Sequence, residues 1–218
     1  LSLVARFEQK GIAVINRHSS DIQLIQDIIF YLGTVRYGLF GDLGQWEEGC
    51  HMRRSSSIGA CLKGLIEIDK LGLFFIPYHL FDDGCGGLNY HLPYESKDSC
   101  NNDNHPPHSH CCDTAQLNKI WPQDIVSRPM ANDIIRRLCD GHHASFGVFH
   151  CLQGPNGFSR YPNDTFFRSH NNIPAYWPKA LFRLSTIQSH WGEYEWAAHW
   201  FGKGTGEMKD HGVPELVE

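Results

Sequence analysis

The chain has 218 residues, 41% of them hydrophobic and 20% charged, with a formal net charge of −5. That balance belongs to a folded chain rather than a disordered one, and the length suffices for one domain with a substantial core or for part of a larger one. No basic stripe marks a nucleic-acid partner, and no apolar run reaches the roughly 18 residues that a membrane helix needs.

The opening LSLVARFEQKG carries neither Met nor the charged and apolar regions of a signal peptide, and it reads as the interior of a longer protein. The first clear helix is SSDIQLIQDIIFYLGTVR. Ser20 and Gln23 have capping-box spacing, and Ile22, Ile25, Ile29 and Leu32 recur at helical intervals. A second helix starts in Ser55-Ser56-Ser57 and runs through Ile58, Leu62, Leu65 and Ile68 to a stop at Gly72. Residues 81–112, rich in Gly, Asn, Asp, Pro and His, read as a long loop insertion.

Order is expected to resume at Asp113, where Asp-Thr-Ala-Gln again has capping-box spacing. A third helix is predicted from Asn132 through Ile134, Ile135 and Leu138 to Gly141. Residues 154–167, GPNGFSRYPNDTFF, read as a polar and aromatic turn region. Residues 178–201 are helix-compatible with an interruption near Gly192, and the remainder to Glu218 reads as loop. No alternating strand pair with a tight hairpin turn stands out. The whole is expected to be one all-α domain, residues 1–218, with polar residues gathered on the loops between helices.

Glu47 and Glu48 follow Trp46 in the Gly-rich segment between the first two helices. Cleaving a glycosidic bond needs one protonated carboxyl to supply the leaving group's proton and one carboxylate to activate water or to attack. An apolar neighbour and an adjacent negative charge both raise a carboxyl's pKa, and Trp46 and Glu48 offer Glu47 both.

Five segments in order carry a resemblance: DIQLIQDIIFYLGTVRYG, then GQWEEG with SSSIGACLKGL, then LPYESKDS with CDTAQLNKIWP, then SRYPNDTFF, then HWGEYEWAAHWF with GVPELVE. Together they resemble glycoside hydrolase family 15, the glucoamylase-like family, and the related phosphorylase kinase α and β subunits. The resemblance implies a partial (α/α)₆ toroid and an inverting, exo-acting hydrolase of α-linked glucosides, needing no cofactor and no metal. It implies Glu47 as general acid and Glu215 as general base, with Trp46, Glu48, Arg160 and Asp164 binding the sugar. Its implied partner is an oligosaccharide or polysaccharide. The alternative it leaves open is a regulatory or carbohydrate-binding relative without turnover. The phosphorylase kinase subunits have Trp-Glu-Arg where this chain has Trp-Glu-Glu, which tilts toward the enzyme.

Other constellations are weaker. His105, His108, His110, Cys111 and Cys112 could hold zinc, but their spacing fits no standard finger, and a polar surface insertion is the preferred reading. The eight cysteines are irregularly spaced and outline no disulfide framework, which leans toward a reducing, cytoplasmic setting. Asn163-Asp164-Thr165 is a glycosylation sequon, but it lies inside the proposed sugar loop. His142, His143 and His150 read as packing or surface residues. No Gly-x-Ser-x-Gly elbow supports a serine nucleophile, and GKGTG at 202–206 lacks the spacing of a phosphate-binding loop.

Overall fold

Apolar residues at helical intervals become helices in the structure, a computed structural model that describes residues 1–17, 20–42, 52–97, 112–140, 142–144, 147–149, 152–154, 157–161 and 178–211. The described residues are mostly helical with very little strand, as an all-α chain requires. Among them no helix is long and apolar enough to cross a membrane. The chain divides into two compact units, Leu1–Leu92 and Pro93–Glu218.

The first unit holds α1 (Ser2–Gln9), α2 (Ser20–Thr34), α3 (Ser55–Asp69) and α4 (His79–His91). Helix α3 packs against both α1 and α4. Its Ile58, Leu62, Leu65 and Ile68 are buried, so the stripe read from the sequence is the stripe that faces the core. Helix α2 buries Ile25 and Ile29 but leaves Leu24, Ile28 and Tyr31 exposed, so it is apolar on two sides. The Ser20–Gln23 capping box does not form. Gln23 Nε2 donates to Asp27 Oδ1 at 2.6 Å, and the first turn is tied instead by Asn16 N–H to Asp21 Oδ2 at 3.0 Å.

The expected loop over 81–112 is corrected in its first part, because α4 occupies His79–His91. The segment Asp82-Asp83-Gly84-Cys85-Gly86-Gly87 looks like a helix breaker, but two of its glycines are there for close packing. A Cβ on Gly84 would collide with the Tyr37 hydroxyl, and one on Gly87 with the Gly38 carbonyl. The turn after α2 therefore rests directly on α4, and Tyr37 Oη donates to Leu80 O at 2.7 Å within the core. Tertiary contact has overridden weak helix propensity.

In the second unit a 3₁₀ turn (Thr114–Gln116) leads into α5 (Leu117–Ile120), followed by α6 (Arg128–Asp140), α7 (Pro178–His190) and α8 (Tyr194–His211). Two short antiparallel hairpins, which the sequence did not announce, lie between α6 and α7. One pairs β1 (His142–Ala144) with β2 (Gly147–Phe149), and the other pairs β3 (Gln153–Gly154) with β4 (Gly157–Phe158). The break expected near Gly192 is present: α7 ends at His190, Gly192 has φ +76°, and α8 begins at Tyr194.

The loop expected after residue 201 is corrected, since α8 continues to His211. Gly204 lies against Phe182 and Leu181, where an added Cβ would sit 3.1 and 3.3 Å from their side chains. Leu181, Leu184 and Ile187 of α7 and Ala197 and Trp200 of α8 are buried. Ser185 Oγ adds a hydrogen bond to Ala197 O at 2.7 Å.

Candidate functional site

Of the residues singled out from the sequence, Arg160 is described, while Trp46, Glu47, Glu48, Asp164 and Glu215 lie outside the described residues. So do His105, His108, His110 and Cys111, whereas Cys112 is buried.

The residues that flank positions 43–51 belong to the first unit. Asp42 and Met52 form an isolated antiparallel bridge with backbone bonds of 2.9 and 3.1 Å, so the two ends of the segment are pinned together. Arg54, 2% exposed, brings its Nε to 4.0 Å from Asp42 Oδ1. The neighbouring Arg53 guanidinium lies 4.8 Å from the centre of the Tyr90 ring. Two arginines of unlike surroundings thus stand at the neck of that segment.

In the second unit Arg160 follows β4 and is 2% exposed. Its position follows from the hairpin that carries it. Leu152 N–H donates to Leu138 O of α6 at 3.0 Å, and Ser159 N–H donates to Leu152 O at 2.9 Å. Phe158, wholly buried, sets its ring 6.1 Å from that of Trp200 on α8. The Arg160 carbonyl accepts Thr114 N–H at 2.8 Å, and its guanidinium carbon lies 5.2 Å from the Tyr161 ring centre. A guanidinium carries its donors in a planar fork, a geometry that suits hydroxyls or a carboxylate.

The structure also brings together a buried ionic cluster that sequence reasoning missed. Glu95, Asp113 and Lys119 are each 0% exposed, and Cys112 is 2% exposed. Lys119 Nζ donates to Tyr94 O at 3.3 Å and lies 3.9 Å from Glu95 Oε2. Burial brings the Lys119 ammonium down to about 8 against the opposing pull of Glu95 and Asp113. Burial likewise pushes the Cys112 thiol up to about 11, with Arg137 pulling the other way, so it is protonated and inert at neutral pH. Arg137 stacks over the Tyr94 ring at 5.2 Å while its Nε donates to Asp133 at 2.8 Å. Two chain segments, 93–95 and 112–119, are therefore held together by buried polar pairs. The only sequence signal was a lysine between Leu117 and Ile120, both of which are buried.

The cap expected at Asp113 forms with its side-chain bond one residue early, on Ala115 rather than Gln116. Asp113 Oδ1 accepts Ala115 N–H at 2.7 Å. With the Gln116 amide oriented to suit its neighbours, its oxygen accepts Asp113 N–H at 3.0 Å and its nitrogen donates to Pro93 O.

A scan against protein-family models finds no match for the chain, and a search of curated proteins finds no significant match.

Proposed function

We propose that this chain is part of an inverting glycosidase of glucoamylase type, which releases glucose from the ends of α-linked glucosides. Glu47 donates the proton to the leaving oxygen, Glu215 activates the water, and Trp46, Glu48, Arg160 and Asp164 hold the sugar. The observation that carries the reading is the setting of Arg160. The arginine of SRYPNDTFF sits on a hairpin tied by backbone bonds to α6 and to the 113–116 turn, as a ligand-positioning arginine requires. The proposed architecture is an arc of an (α/α)₆ toroid. In support, α2 is apolar on two sides, as a helix flanked by others in a toroid would be.

Inversion needs room for a water, so the Glu47 and Glu215 carboxyls of the complete site should lie about 6.5–9.5 Å apart. Release of β-glucose from maltooligosaccharides by the full-length protein tests the activity. Glu47→Gln and Glu215→Gln should each lower kcat by orders of magnitude while KM changes little. Normal turnover in either variant would reject that residue's role.

One observation favours the second reading, a carbohydrate-binding or regulatory relative without turnover. Arg160 is 2% exposed, as suits an arginine that braces a loop rather than one that meets a ligand. Maltooligosaccharide binding with no glucose release would select that alternative.

A further inference from the structure

The first residue of a helical turn has a backbone N–H with no acceptor inside the turn. At Thr114 that donor goes to the Arg160 carbonyl, at 2.8 Å. The other early donors of the turn are committed elsewhere: Ala115 N–H to Asp113 Oδ1 at 2.7 Å, and Gln116 N–H to Asp113 O at 3.1 Å. Asp113 is 0% exposed, and the Gln116 amide, in the orientation that satisfies its neighbours, accepts its N–H, so the turn is tied at both ends. On the other side, Ser159 is bonded to Leu152, and Arg160, the next residue, is bonded to Thr114. Two consecutive residues of one strand exit are thereby fixed, which fixes the direction in which the Arg160 side chain leaves the backbone.

We infer that the Asp113-capped turn is a positioning element for Arg160, acting through the Thr114 N–H. This rests on the proposed role of Arg160 in holding sugar. Asp113 and Thr114 touch no ligand in this scheme. They determine where the guanidinium stands, because the Thr114 bond is one of the two backbone ties that set the direction of this strand exit.

Thr114→Pro removes this single donor. Asp113 is extended, with φ −150° and ψ 138°, the conformation that a residue before proline prefers. Proline is also favoured at the first position of a helical turn. Thr114→Val is the conservative partner, because it keeps the N–H.

The experiment uses the full-length protein with two readouts: the Nε–Hε NMR signal of Arg160 in the free protein, and the affinity for maltoheptaose by calorimetry. The expected result is that Thr114→Pro shifts the Arg160 signal and weakens binding roughly tenfold, while Thr114→Val restores both. In an Arg160→Ala background the proline substitution should cost no further affinity, an outcome that general loosening would not give.

An unmoved Arg160 signal in Thr114→Pro overturns the inference, and so does an affinity loss that persists without Arg160. If the wild-type protein binds no maltoheptaose, the sugar reading fails, and the Arg160 signal alone decides the positioning claim. Should the proline variant not fold, Asp113→Ala against Asp113→Asn, whose amide oxygen still accepts, makes the same comparison.

Discussion

Methionine at position 119 keeps much of the lysine stem and removes its charge, so Lys119→Met isolates what the buried ammonium does to stability. In the wild-type protein that ammonium lies 3.9 Å from Glu95 Oε2 with both side chains fully buried. Burial lowers its pKa from 10.5 to about 8. The unfolded chain keeps the ordinary value. Between those two pH values the unfolded state holds a proton that the folded state has released, so stability rises with pH across that window. At about 1.4 kcal/mol per pH unit, the whole window is worth about 3 kcal/mol, of which about 1 kcal/mol falls within its first unit.

Other groups act in the opposite sense at higher pH. Burial raises the Cys61 and Cys112 thiols from 9.0 to about 11, so the folded protein keeps protons that the unfolded chain loses, and stability falls through that range. Tyr37, pushed up by its own burial, adds to the fall from 10.0 onward. The unfolded thiols already begin to lose protons below pH 9, so the interval between about pH 8 and pH 9 is read as the difference between the wild-type protein and Lys119→Met, which share those thiols.

Urea unfolding followed by tryptophan fluorescence suits the test, because Trp121, Trp177, Trp191, Trp196 and Trp200 all belong to the second unit. Over that interval the wild-type protein should gain about 1 kcal/mol relative to Lys119→Met, whose own stability declines as the same thiols ionise in the unfolded chain. Near neutral pH the variant should lose about 3 kcal/mol, because the Glu95 carboxylate loses the cation beside it, and adding Glu95→Leu should recover most of the loss. A wild-type-minus-variant difference that does not grow between pH 8 and pH 9, or a single variant as stable as wild type near neutrality, would refute the reasoning.

Gly84→Ala should destabilise the first unit by about 1–3 kcal/mol in urea titrations, since its Cβ meets the Tyr37 hydroxyl. Gly86→Ala, on the same helix with open space around it, should instead stabilise by about 0.5–1 kcal/mol. Tyr37→Phe should cost about 1 kcal/mol through the lost bond to Leu80 O, with little change in the urea m-value. Glu67 is desolvated, yet hydrogen bonds from Lys63, Lys70 and Gln9 outweigh that and hold its carboxyl at about 2, below the ordinary 4.5. Its contribution is complete above about pH 4.5 and fades as pH falls toward 2, so Glu67→Gln should flatten the acid limb of a stability–pH curve.

The helices legible in the sequence were those whose burial is decided within one element. Ile58, Leu62, Leu65 and Ile68 needed only the 3.6-residue period, and the break at Gly192 needed only a residue free to take φ +76°. The Asp113 cap was legible because its bonds span three residues. What escaped was decided between elements. Gly84, Gly87 and Gly204 look like breakers to any local rule, yet each lies where a neighbouring segment comes too close for a Cβ to fit comfortably. The sign of their effect depends on Tyr37, Gly38 and Phe182, which lie far away in the chain.

Lys119 and Glu95 are harder still to read, because a buried ion pair looks like two surface charges until the fold joins the segments on either side of residues 98–111. Of the candidate site the sequence offered residue types in an order, and for Arg160 the fold adds what order could not. Its backbone is anchored by an orphan helix donor from a turn 46 positions earlier, and in the role proposed for Arg160 that anchor supplies the rigidity that recognising a ligand needs.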